Sequence, residues 1–110
     1  MITTYVTEIT SENFEEKIVK SPVAIVDIWA TWCGPCKQLS PIIDQVSSEL
    51  GSEVVVGKMD ADSNLDFVKE LNVRNIPTIL YFKNGEVVER TTGLKTKNEI
   101  LEIVNRLLED

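Results

Sequence analysis

The two cysteines of this 110-residue chain stand two residues apart, in Trp32-Cys33-Gly34-Pro35-Cys36. Thiols at that spacing can close into a small disulfide and open again. An apolar stretch, Val23-Ala24-Ile25-Val26-Asp27-Ile28-Trp29, precedes them and reads as a buried strand, and a helical pattern follows. The pair therefore falls at a strand-to-helix turn, with Cys33 at the helix start. Free N–H groups and aligned peptide dipoles stabilise an anion at a helix N-terminus. A thiolate is favoured there and becomes a usable nucleophile. Cys33 is expected to be exposed and to attack; Cys36, one turn in, is expected to be shielded. The chemistry is thiol–disulfide exchange: Cys33 attacks a substrate disulfide, and Cys36 then attacks the Cys33 sulfur to release reduced substrate. Proximity favours the second step, because the resolving thiol is already in place.

Other uses of two cysteines fit less well. A structural zinc needs four ligands, usually Cys or His, and the chain has two Cys and no His. A structural staple closing so short a ring gains only about 2 kcal/mol of chain entropy. Without histidine there is no Cys–His hydrolase.

Asp27 is the one carboxylate in an otherwise apolar strand. Burial without a partner would raise its pKa, and a poised acid near the cysteines could take the proton from Cys36 and return it. A strand-end aspartate with solvent access, or an ion pair with Lys58, satisfies the sequence equally well. Trp29 reads as a core aromatic beneath the site. Asp60 and Asp62 read as a solvated loop and a helix cap rather than a metal site.

The elements that must position these residues are legible from periodicity. Residues 4–9 alternate weakly, as in an edge strand. Ser11 offers an N-cap to a short helix over 12–20, with Phe14 and Ile18 on one face, ended by Pro22. Residues 23–29 are apolar on both faces, as in a central parallel strand. A helix over 34–49 carries Leu39, Ile42, Ile43, Val46 and Leu50 on its buried face, with Pro35 in its first turn and a kink expected at Pro41. A strand over 53–59 follows. Asp62 or Ser63 then caps a short helix with Leu65, Val68 and Leu71 inward. Strands over 78–83 and 86–92 are joined by Asn84-Gly85, a strong hairpin signal. Thr96-Lys97-Asn98-Glu99 is a capping box that opens a last helix, with Ile100, Ile103, Val104, Leu107 and Leu108 on one face. The order β-α-β-α-β-α-β-β-α predicts an α/β fold: a mixed sheet covered by helices on both faces, with an antiparallel hairpin at its end.

Length bounds the chain to one domain over 1–110. Composition is that of a globular protein, 43% hydrophobic and 26% charged. A net charge of −7 argues against nucleic acid or anionic membrane as the main partner. No apolar run approaches the roughly 18–20 residues of a membrane helix, and the first residues lack a basic segment followed by an apolar one. With Met1 at the start, the expectation is a cytoplasmic monomer, in which a disulfide is catalytic more often than structural. No Gly-rich dinucleotide fingerprint is present.

The chain resembles the thioredoxin family over nearly its whole length. The residues that carry the likeness are Val26-Asp27-Ile28-Trp29-Ala30 leading into Trp32-Cys33-Gly34-Pro35-Cys36-Lys37, then Pro41, Lys58, Asp60, Asp62, Ile76-Pro77-Thr78, Phe82-Lys83-Asn84-Gly85 and Gly93. Ile28 stands where the family usually has Phe, and Thr92 stands where a small apolar residue is more usual. The resemblance implies the thioredoxin fold, a central mixed five-stranded sheet flanked on both faces by four helices. It implies a proton-transfer role for Asp27, through water, with Lys58 tuning that acid. It also implies a cis Ile76–Pro77 bond, with the Ile76 backbone left free to pair with an extended substrate segment. Trp32, Gly34, Pro35, Ile76, Pro77 and Gly93 would then form a small apolar docking surface. The implied activity is general protein-disulfide reduction through a redox-active Cys33–Cys36 disulfide, with no bound cofactor. Disulfide-containing proteins would be substrates. A thioredoxin reductase, a flavoprotein drawing on NADPH, would recharge the pair, so that flavin and nicotinamide belong to the partner. Two other functions stay open. An oxidant or isomerase for exported proteins would need a signal sequence, and its relatives usually carry His between the cysteines, where this chain has Gly34-Pro35. A binding subunit would need only the docking surface.

Overall fold

The strand Val23–Trp29 (β2) is buried along almost its whole length because it is paired on both sides. Its neighbours are a parallel strand, Val55–Asp60 (β3), and an antiparallel one, Thr78–Lys83 (β4). The computed structural model describes residues 5–109. Beyond β3 lies the short edge strand Val6–Glu8 (β1), and beyond β4 lies Glu86–Thr92 (β5), giving a five-stranded mixed sheet in the order β1-β3-β2-β4-β5. The helices are Gly34–Leu50 (α1), Leu65–Glu70 (α2) and Lys97–Glu109 (α3), with a π-helical turn at Glu15–Val19.

Strand side chains alternate in direction, and the core divides accordingly. Ala24, Val26 and Ile28 of β2 join Leu80, Phe82, Phe14, Ile18 and Val68 under the π-turn and α2. Val23 and Ile25 join Ile79, Tyr81 and Val56 with Leu39, Ile43 and Val46 of α1 and Ile100 and Val104 of α3. Asp27 is in phase with Val23 and Ile25, and Lys58 is in phase with Val56. Both therefore project from the sheet face that α1 covers. In α1 the buried residues Cys36, Leu39, Ile43, Val46, Ser47 and Leu50 recur every three or four positions, the stripe a sheet-packed helix needs.

Two local signals act as written. Asn84 and Gly85 both have positive φ, 52° and 85°, the conformation of a type I′ turn between β4 and β5. Thr96 and Glu99 cap α3 reciprocally: the Thr96 N–H donates to Glu99 Oε1 at 3.0 Å and the Glu99 N–H to Thr96 Oγ1 at 3.1 Å.

Several expectations are corrected. The first helical segment is the Glu15–Val19 turn, not a helix over 12–20, and Ser11 does not cap it. Its N-cap is Phe14, with no side-chain cap bond. Thr10 and Asn13 bond each other ahead of it: Thr10 Oγ1 accepts from the Glu12 and Asn13 N–H groups, and Asn13 Oδ1 accepts from the Thr10 N–H. The Ser11 N–H donates instead to Asn64 Oδ1. The strand expected over 4–9 is Val6–Glu8, residue 4 lying outside the described residues, and β3 starts at Val55 rather than at 53. Neither Asp62 nor Ser63 caps α2. Its N-cap is Asn64, whose side chain is spent on the Ser11 N–H and the Asp60 carbonyl. Leu65 points outward, 52% exposed, because a six-residue helix buries only its central face, at Val68. Leu108 is likewise exposed, at the end of α3.

Candidate active site

β2 ends at Trp29, and the chain turns through 30–33 into α1. Cys33 is the N-cap of that helix, with extended backbone (φ −92°, ψ 111°), and Gly34 and Pro35 form its first turn. Pro35 costs nothing there, since the first N–H groups of a helix lack partners in any case. The helix continues past Pro41. Cys33 and Cys36 are joined by a disulfide, their Cα atoms 5.3 Å apart. The Cys36 N–H donates to Cys33 Sγ at 3.2 Å. The nucleophile position thus already receives one of the free N–H groups that would hold its thiolate.

The expected contrast between an exposed Cys33 and a shielded Cys36 is not found: their exposures are 4% and 3%. The reason is packing. Ala30 and both cysteines form one small buried cluster, covered by the half-buried Trp29 and Ile76. Access falls to the residues around the pair. Gly34 and Pro35 are exposed and Trp32 is 68% exposed. The Trp32 indole N–H donates to Asp62 Oδ2 at 3.0 Å. This holds an exposed apolar ring in place, a use of Asp62 not foreseen from the sequence. The Ile76–Pro77 bond is cis. Pro77 itself is buried, and its carbonyl accepts the Gly93 N–H at 2.8 Å. Gly93 has φ +90°, and a Cβ there would meet nothing within 4 Å. The space in front of it is open for another backbone.

Beneath the pair, Asp27, Trp29, Cys36 and Lys58 line one cavity of about 240 Å³, with Thr31, Lys37 and Ser40 at its walls. Asp27 is 4% exposed, and its Oδ1 has no hydrogen-bond partner; Trp29 Nε1 is likewise buried and unpaired. Burial pushes the Asp27 carboxyl up from 3.8 to about 7, against the opposing attraction of Lys58. Lys58 is the register partner of Asp27 on β3, yet its ammonium lies over the Trp29 ring, 5.5 Å from the centroid. Of the three readings of Asp27, the solvent-exposed strand end is excluded by its burial. Among the described residues Asp27 and Lys58 form no ion pair. The carboxyl is buried and shares its cavity with Cys36.

Asp60 and Asp62 are engaged with backbone and indole donors. Among the described residues no three of His, Cys, Asp and Glu gather as a metal would require, and no helix is long and apolar enough to cross a membrane.

The sequence model of the thioredoxin family matches residues 5–106. A thioredoxin of Rickettsia typhi is 45% identical over 102 residues, which cover 92% of this chain and 97% of the relative. One of Listeria monocytogenes is 40% identical over 101 residues, covering 92% and 97%. Among solved structures, Malassezia sympodialis thioredoxin superposes with a TM-score of 0.86 at 28% identity, covering 96% of this chain and 93% of that one. With the fold, the bonded cysteine pair and these likenesses in agreement, the chain belongs to the thioredoxin family, whose redox group is the protein's own disulfide.

Proposed function

We propose that this chain is a general protein-disulfide reductase in which Cys33 attacks and Cys36 resolves. The Cys33 thiolate attacks one sulfur of a substrate disulfide, and the other sulfur leaves as a thiolate that takes a proton from solvent. The Cys36 thiol passes its proton to the Asp27 carboxylate and attacks Cys33 Sγ. The Cys33–Cys36 bond forms, the mixed disulfide breaks, and the second substrate thiolate leaves. Two electrons pass to the substrate. The observation that carries this reading is the buried, unpaired Asp27 carboxyl sharing a cavity with Cys36. An acid poised near the working pH both accepts and returns a proton. Lys58 tempers it from the same cavity.

Trp32, Gly34, Pro35 and Ile76 present the contact surface, Gly93 admits the substrate backbone, and Pro77 supports both from beneath. A thioredoxin reductase carrying flavin and using NADPH recharges the pair, and the substrates are disulfide-bonded proteins. The chain acts as one domain and as a monomer in the cytoplasm, a setting that suits a Gly34-Pro35 pair biased towards reduction.

The test is the equilibrium reduction potential of Cys33–Cys36, read by Trp fluorescence, alongside turnover on a disulfide-bonded protein with dithiothreitol as electron source. A potential below the cytosolic glutathione poise of about −220 to −260 mV, with turnover lost in Cys33→Ser, is expected. A potential near about −120 to −180 mV would make the chain a disulfide donor instead.

A further inference from the structure

The cavity under Cys36 has an outer wall whose chemistry the exchange mechanism leaves unused. Its innermost group, Asp27, has almost no contact with solvent, yet an acid that takes up and returns a proton in each cycle must exchange it with bulk water. At 3.6 residues per turn, Ser40 follows Cys36 by one turn and lies on the α1 face that also carries Ile43 and Ser47. That face meets the sheet, and below Cys36 the sheet carries Asp27. Ser40 lines the cavity but is itself exposed, so it spans the interior and solvent. Serine within a helix commonly bonds back to the carbonyl four residues earlier. Ser40 makes no such bond, and its hydroxyl has no partner among the described residues.

We propose that Ser40 is a positioning residue for the proton cycle, its hydroxyl anchoring water that carries the proton between Asp27 and solvent. This rests on the reading of Asp27 as the proton acceptor for Cys36. A relay group must both donate and accept. Of the polar side chains at the outer wall, Lys37 and Lys58 only donate when charged, whereas a hydroxyl does both. Thr31 also carries a hydroxyl but sits in the loop, while Ser40 is held by helix backbone, which positions a group more closely. The cavity, at about 240 Å³, far exceeds the roughly 10–15 Å³ that admits one water. The titratable groups facing Asp27 here are Lys58 from β3 and Cys36 and Lys37 from α1; its β4 neighbour, Ile79, is apolar.

The experiment measures turnover and single-turnover resolution of a mixed disulfide between pH 6 and 9 for wild type, Ser40→Ala, Ser40→Thr, Asp27→Asn and the Asp27→Asn/Ser40→Ala double variant. Loss of the hydroxyl is expected to slow the cycle roughly tenfold, less than the about 10²–10⁴ of a lost acid–base group. The slowing should grow above about pH 7, where Asp27 ionises. KM and reduction potential should stay at wild-type values, Ser40→Thr should restore the rate, and Ser40→Ala should add nothing to Asp27→Asn. Wild-type rates in Ser40→Ala, equal slowing in Ser40→Ala and Ser40→Thr, or slowing that persists in the double variant would each overturn the proposal. If Asp27→Asn leaves rate and pH profile unchanged, the proton-acceptor reading falls first and takes this inference with it.

Discussion

Replacing Asp27 by alanine should make the oxidised protein more stable at neutral and alkaline pH. The carboxyl has an ordinary value of 3.8 in the unfolded chain and about 7 in the folded one, a difference of about 3.2 pH units from 7 − 3.8. At 1.36 kcal/mol per unit, ionising it in place costs the fold about 4 kcal/mol. Between pH 3.8 and about 7 the folded state keeps a proton that the unfolded state has released. Folding stability therefore falls as pH rises through that window, by about 1.4 kcal/mol per unit, and levels off above it. Alanine removes the penalty and leaves at most about 1 kcal/mol of lost packing beside an existing cavity. The expected net gain is about 3 kcal/mol at pH 8, with the sign reversed near pH 4. Urea unfolding of the oxidised protein at unit steps from pH 4 to 9, extrapolated linearly to water, measures it. A difference that stays flat with pH refutes the reasoning. A variant that loses stability with rising pH would mean that Lys58 stabilises the carboxylate more than burial opposes it.

Three further outcomes follow from the same geometry. Lys58→Met removes the one charge that lowers the Asp27 pKa, so the alkaline-going limb of the pH–rate profile should move to higher pH; an unmoved limb would show that Lys58 does not act on this acid. Asp62→Ala frees the Trp32 indole and should raise KM for protein disulfides severalfold while leaving the reduction potential in place, checked by steady-state kinetics on a protein and on a small disulfide. Gly85→Ala forces a side chain onto φ +85° with its Cβ 2.9 Å from the Val19 carbonyl oxygen, and should cost about 1–3 kcal/mol in urea unfolding.

What could be read in the chain was local. Pairing needs, turn chemistry and helix capping are settled within a few residues, so Asn84-Gly85, Thr96 with Glu99, and the cysteine pair at a strand-to-helix turn all stand where their neighbours demand. The apolar run of β2 likewise announced a central strand. Boundaries and caps near the surface were less legible. No side chain caps the Glu15–Val19 turn or α2, and Ser11 and Asn64, which stand at their approaches, bond each other across 53 residues instead.

The chain alone determined that two thiols would meet at a helix start and that one carboxylate would lie in a buried strand, because both facts are spacings along a backbone of fixed geometry. Only the tertiary structure decided what surrounds them. It buried Cys33 under Trp29 and Ile76, gave Asp62 to the Trp32 indole, turned Lys58 over Trp29, and brought Asp27 and Ser40 to the lining of one cavity. Those environments are made by residues distant in sequence, and it is burial and neighbouring charge, not residue type, that set the proton affinity of an acid.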